Sequence, residues 1–206
     1  MRREHAIRLA AATALAAATC IAANALPAAE TPLAVDSARV SIAGTSNIHP
    51  YTASTTHIRV VRAGLAAPGP DVWDNAFEPG VVDAFEVAIP AKTLTSPKEG
   101  LDKNMHKALK VDEFPDITFR LVRFDTANKP GGCARAIGVL RVAAVENEVA
   151  IDITTKRTGA LLSVRGSFDL LMTDYGIKPP IAMLGMLKTD PKVTVTFETV
   201  LSIPLT

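Results

Sequence analysis

The chain has 206 residues, 48% of them hydrophobic, with 22 basic side chains against 21 acidic ones. That length holds one ordinary domain with a real core. Near-neutral charge without a basic stripe interleaved with aromatics excludes a nucleic-acid binder.

Arg2, Arg3 and Arg8 precede an alanine-rich apolar run over residues 9–23, and Ala23-Asn24-Ala25 has the small-x-small pattern of a signal-peptidase site. The run falls short of the ~20 apolar residues a membrane span needs. Ala17 and Thr19 do not give Cys20 a lipobox. Residues 1–25 therefore read as a secretory signal, with a cut after Ala29 as the alternative, and residues 30–206 as a single domain bound for a bacterial periplasm. The mature chain then carries 19 basic and 20 acidic residues. Cys133 is its one cysteine, so no internal disulfide forms even where the compartment permits one. In Gly131-Gly132-Cys133 no cationic neighbour depresses the thiol pKa, and a small apolar strand-start residue is the plainer reading.

Strands then follow in series. Residues 39–44 alternate weakly, and 48–51 are interrupted by Pro50, which marks an edge, bend or bulge. Residues 55–62 place His57, Arg59 and Val61 on one face and Ile58 and Val60 on the other. Residues 64–80 are irregular, broken by Pro68, Gly69, Pro70, Pro79 and Gly80, with Trp73 and Phe77 embedded. Residues 81–89 give the clearest alternation in the chain.

Leu101, Met105, Ala108 and Leu109 recur at i, i+4, i+7 and i+8, one apolar face of a helix. Ser96-Pro97-Lys98-Glu99 has capping-box order, and Asp102 is an alternative start. Phe114-Pro115 turns the backbone away from helix, and residues 117–124 alternate as a strand. A lone amphipathic helix must lay its stripe on something; a curved sheet or barrel mouth is the available partner.

A turn over 128–132 leads to a strand at 135–143, and Glu146-Asn147 leads into 148–155. Gly159 precedes 161–171, and a loop through Pro179-Pro180 and Pro191 precedes 192–201. Eight or nine short strands make a sandwich or a barrel, which periodicity alone does not separate. Residues 181–187, an apolar run between prolines, are either tucked into the core or placed at a binding mouth, where methionine makes a pliable lining.

Gly44-Thr45-Ser46-Asn47-Ile48-His49 resembles the opening strand of the YceI-like family of secreted bacterial proteins. Leu101 to His106 resembles its charged helix, and Phe114 to Phe119 its F-P-x-x-x-F strand. Val164-Arg165-Gly166-Ser167-Phe168 with Thr173-Asp174-Tyr175-Gly176-Ile177 is similar to its penultimate strand and turn, and Val193 to Phe197 to its closing strand. Thr154-Thr155-Lys156-Arg157-Thr158-Gly159 departs from the family's T-I-x-G-V-T-K-P run. The resemblance implies a lipocalin-like barrel that binds a polyisoprenoid or similar lipid.

Other chemistry finds little support. His49, His57 and His106 lack metal-ligand spacing, although strand folding could gather His49 and His57 with Asp83 or Glu86. His106 falls on the polar side of the helix. Ser46 and Ser167 have no nucleophile-elbow context, and Thr173-Asp174 reads as turn chemistry.

The expectation is an all-β protein: a single antiparallel lipocalin-like barrel of about eight strands with one short helix near a mouth. Phe85, Val87, Ile117, Phe119, Leu140, Ile151, Phe168 and Phe197 would line the interior, and Leu101, Met105, Met183 and Met186 the mouth or lid. The function is non-enzymatic carriage or sequestration of a lipid, a polyisoprenoid or isoprenoid quinone being the bound ligand. No catalytic residue, metal or cofactor is expected. Transient contact with the membrane or a membrane protein is compatible with that role, and oligomeric state is not readable. The competing readings are a solid-core barrel built from the same residues and a periplasmic enzyme acting on a lipid-linked substrate.

Overall fold

The computed structural model describes residues 31–66, 72–126, 132–182 and 186–204. The expected signal segment with both expected cut sites, most of the 128–132 turn and Met183 lie outside the described residues. The strands are β1 (Thr31–Pro32), β2 (Ala34–Ser46), β3 (Pro50–Thr55), β4 (Arg59–Leu65) and β5 (Val82–Pro90). After the helix α1 (Glu99–Leu109) come β6 (Asp116–Asp125), β7 (Cys133–Val142), β8 (Val145–Thr158), β9 (Leu161–Leu171), β10 (Ile181–Ala182) and β11 (Leu187–Ser202). Short 3-10 turns lie at Ala91–Thr93 and Met172–Tyr175.

The ladder runs β1-β4-β5-β6-β7-β8-β9-β11-β2-β3, with β10 folded back on β11, and its pairings are antiparallel. Laid flat at ~4.8 Å per strand, β4 and β3 would stand ~38 Å apart. Yet residues 56–58 alone join them in the chain, and four residue steps reach at most ~14 Å. The sheet must curl until its two ends meet, which makes it a barrel.

No ladder joins β3 to β4 among the described residues; the segment after β5 bridges the seam. Ser54 and Thr95 exchange backbone bonds of 2.9 and 3.1 Å. The Thr93 hydroxyl donates to the Pro90 carbonyl (2.7 Å), so the buried Thr55 hydroxyl must be the donor in its 2.7 Å contact with Thr93.

The sequence reading of one strand over 55–62 is corrected here: β3 ends at Thr55 and β4 begins at Arg59. The turn expected at Glu146-Asn147 falls instead at Ala143-Ala144, with Ala143 left-handed at φ 53°. Pro191, expected as a breaker ahead of the last strand, lies inside β11. The register slips between Thr189 and Val193, so Pro191 occupies an irregular stretch where no ladder donor is required.

Alternation sorts the wall. Outward, register partners pair charges: Arg135 with Asp152 (2.9 Å) and Arg165 with Glu198 (3.1 Å). Inward, glycines face aromatics. A Cβ at Gly138 would stand 2.5 Å from the Phe119 ring, and one at Gly166 2.5 Å from the Phe197 ring. These rings lie flat along the wall because the strand beside them has no side chain there.

One end of the barrel is stoppered. Residues 72–80 fold under it, and Trp73 is buried with Leu33, Leu65, Leu162 and Leu201. The Trp73 indole N–H donates to the Ala160 carbonyl (2.9 Å), and Phe77 meets Phe124 edge-on with centroids 5.1 Å apart.

Candidate functional site

The other end is roofed by α1. Its start differs from the expected capping box: Lys98 is the N-cap, without a side-chain bond. The Ser96 hydroxyl instead accepts the Lys98 N–H (3.1 Å), and Asp102 accepts the Ser96 N–H (2.8 Å). Lys110, left-handed at φ 52°, ends the helix with its N–H on the His106 and Lys107 carbonyls. His106 was read as a polar-side residue; its ring is half-buried, and its Nε2–H donates to the Leu94 carbonyl at 2.8 Å. It pins the helix to the segment that bridges the seam.

Beneath the helix lies a cavity of about 630 Å³. Leu101, Met105, Ala108 and Leu109 form its roof, with Asn104 among them. The floor and walls are apolar: Ile42, Ile89, Leu94, Ile117, Leu140, Val142, Phe168, Leu170, Val193 and Val195. Polar groups collect toward the rim, among them Ser46, His49, Ser96, Lys98 and Thr189. No residue of α1 is buried; a helix packed on a solid core would bury its apolar stripe.

A second chamber of about 180 Å³ lies deeper, toward the stoppered end. Val40, Ile89, Leu140, Phe168 and Val195 line both chambers and form the waist between them. Of the interior residues named from sequence, Ile117 lines the upper chamber, Leu140 and Phe168 stand at the waist, and Phe85, Val87, Phe119, Ile151 and Phe197 line the lower one. Leu101 and Met105 lie in the roof, whereas Met186 stands at the edge of the mouth, 65% exposed. Leu187, from the same run, does line the chamber.

Tyr51, Tyr175, Ile42 and Val193 are on the upper wall but are not among the lining residues expected from sequence. Val193 shares the closing-strand alternation and was within reach; the tyrosines carry no periodic signal. Burial, and secondarily Asp190, pushes the Tyr51 hydroxyl pKa above its ordinary value. Tyr175 is raised chiefly by burial. The Asn147 amide acts in the opposite direction, favouring the phenolate; it donates to the Asp174 carbonyl at 3.0 Å. The Tyr175 hydroxyl is buried without a hydrogen-bond partner among the described residues. Both groups stay neutral near neutral pH, so neither is a general base.

His49 and His57 are both exposed and lie at opposite ends of β3. Among the described residues no group of three His, Cys, Asp or Glu could hold a metal ion. Ser46 is occupied in its own turn, accepting the Ile48 and His49 N–H groups and donating to the His49 carbonyl (2.8 Å).

Residues 37–201 match the YceI-like domain. The chain belongs to the YceI-like family. No curated protein matches the sequence. Among solved structures the fold is similar to BcnA of Burkholderia cenocepacia, with a TM-score of 0.63 at 12% identity, covering 79% of this chain and 95% of that one. A polyisoprenoid-binding domain from Saccharophagus degradans, described as implicated in plant cell wall breakdown, gives 0.62 at 12% identity over 84% and 99%. The Campylobacter jejuni YceI protein gives 0.55 at 11% over 76% and 82%. At those identities the likeness is one of fold, and it places the helix-roofed barrel of this chain in a YceI-like setting.

Proposed function

We propose that this YceI-like protein is a non-enzymatic carrier of a polyisoprenoid or isoprenoid quinone in the periplasm, holding the prenyl tail in the barrel and leaving the headgroup at the rim. The observation that carries the reading is the apolar cavity of about 630 Å³ under α1. A solid-core barrel has no use for such a void, because an unfilled apolar space forfeits packing. His49, the histidine that lines the upper chamber, stands exposed at the rim, and the floor and walls beneath it are apolar. The polyisoprenoid-binding description of one structural relative supports the same ligand class.

Magnitudes set the tail length. A buried methylene contributes ~0.8 kcal/mol, so a five-carbon prenyl unit contributes ~3–4 gross. Association costs ~4–15 kcal/mol, more when a flexible chain is ordered. One or two units barely bind, whereas four or more reach micromolar affinity, about −8 kcal/mol. Rim groups facing water add little, so affinity should climb with tail length until both chambers are full and change little between quinone, alcohol and amide heads. The test is competition binding with a ladder of prenyl lengths and a matched headgroup set, beside native mass spectrometry of protein taken from a periplasm without detergent. Strong preference for one headgroup at constant tail would replace the carrier with a specific polar site. No binding at any length would return the protein to a structural role.

A further inference from the structure

The mouth of the upper chamber is crowned by large apolar side chains that point at water. Ile181 is 67% exposed, Met186 65% and Ile48 55%. They come from two elements laced together. The Asn47 side chain donates to the Met186 carbonyl (2.8 Å) and accepts the Lys188 N–H (2.8 Å), while its backbone N–H reaches the Lys188 carbonyl (3.1 Å). Ile181 is the register partner of Lys188. Their chain neighbours Pro180, Leu187 and His49 line the chamber, so the tips stand at its very edge.

We propose that this crown is a docking surface for an anionic phospholipid bilayer, through which the carrier loads and unloads. The inference rests on the carrier reading above. A prenyl tail crossing open water would lose the gain that holds it in the barrel, and a mouth pressed on the bilayer removes that crossing. Three tips on two turns are far below the ~1,000 Å² or more of complementary surface that a specific protein interface buries. A bilayer asks only that apolar tips enter the headgroup boundary with cations beside them. Those cations are present: Lys188 opposes Ile181, Lys178 lies three residues before it, and neither has an acidic partner among the described residues. Asp190, the nearest acid along β11, accepts the Lys192 backbone N–H (2.8 Å) and sits within the field of the Lys192 ammonium, and Glu99 on the roof is paired with Lys103 (2.8 Å). Asp174, on the turn behind the chamber, is an exposed acid with no ion-pair partner among the described residues.

Vesicle flotation tests the docking surface. The protein should float with phosphatidylethanolamine–phosphatidylglycerol vesicles better than with phosphatidylcholine vesicles, and high salt should weaken it. Ile48→Asp/Met186→Asp should lower partitioning roughly tenfold or more, because charge replaces the inserting tips. Lys178→Ala/Lys188→Ala should erase most of the anionic preference, roughly tenfold. Every variant should bind a prenyl ligand in vesicle-free solution as the parent does, which shows that the barrel is intact. Flotation of the aspartate variant like the parent, or no flotation of the parent, would overturn the docking surface while leaving the carrier reading in place. A concentration-dependent dimer abolished by the aspartate variant would overturn it in favour of a second copy as occupant. Flotation as expected together with no prenyl binding would keep the surface and remove the carrier reading.

Discussion

At one end of the barrel, residues 72–80 press Trp73 among Leu33, Leu65, Leu162 and Leu201, each no more than a tenth exposed. At the other, α1 covers the larger chamber without burying any of its own residues. Both ends are shut by a connecting segment with an apolar side, so composition does not separate them. The difference is in what the apolar side meets. The Trp73 segment meets side chains and converts its area into stability. The helix packs Ala108 and Leu109 against the buried cluster of Leu140, Val142 and Tyr175, but the rest of its stripe meets a void, and the area left unfilled there is open to whatever enters.

The sharpest way to break that contrast is Trp73→Ala. Removing the stopper should cost ~3–5 kcal/mol, as truncation of a buried tryptophan does, read as a fall in denaturant midpoint. A smaller loss would mean that the lower end is as loosely filled as the upper.

Next in size are the wall glycines. Gly138→Ala and Gly166→Ala push a methyl into the Phe119 and Phe197 rings, so each should cost ~1–3 kcal/mol by overpacking. These rings line the lower chamber, so binding of the longest prenyl ligands should suffer before that of short ones. Equal loss across the ladder would count against a tail that reaches below the waist.

The roof comes third. Met105→Asp puts a charge over the apolar chamber and should weaken prenyl affinity about tenfold or more, with a smaller effect on the ligand-free stability than Trp73→Ala has. Lys103→Glu breaks only the exposed pair with Glu99 and should stay within ~0.5 kcal/mol of neutral. Matching effects from these two would show that the helix presents a different face to the barrel.

The smallest effects are those of pH, and each end of the scale reports a different region. Hydrogen bonding to Lys92 holds the Asp112 carboxyl below the usual range, and Lys192 with Thr194 does the same for Asp169. Folded values below the unfolded ones mean that this contribution is present above about pH 4 and fades as pH falls further. Tyr51 and Tyr175, raised by burial at the mouth, work the other way. Their contribution is whole below about pH 10 and is lost as pH rises beyond it. Thermal melts should be flat from about pH 5 to 9 and decline outside that window. Lys192, raised by its bond to Asp169, adds an alkaline loss of its own, so the decline should shrink rather than vanish in Tyr51→Phe/Tyr175→Phe, and an unchanged decline would detach it from the mouth.

Much of the fold was legible. Residues 81–89, with Asp83 the one exception, and 161–171 alternate plainly and became β5 and β9 nearly as read. The helix stripe was plain because Leu101, Met105, Ala108 and Leu109 fit no strand period. What failed did so for local reasons. The gap at 56–58 contains neither glycine nor proline, and alternation carries on through it. The turn at Ala143-Ala144 uses residues with no turn signature, and Ala143 is held left-handed by the hairpin it closes. The hollow interior was out of reach because Phe168 or Leu140 looks the same whether its neighbour is a side chain or a void. Burial class, which depends on the opposite wall, is not written in any one strand.

The strand order has a consequence for how the protein comes into being. β11 is inserted between β9 and β2, so residues 187–202 supply both the last rung of the meander and the partner of the first long strand. Until they have left the ribosome, β2 has only β3 beside it, and the pairing that closes the ring spans more than 140 residues of chain. Contacts that distant form late and slowly. A nascent chain of this kind cannot close its barrel until residues 187–202 have been made, so the walls of both chambers come into register only after β11 joins the ladder.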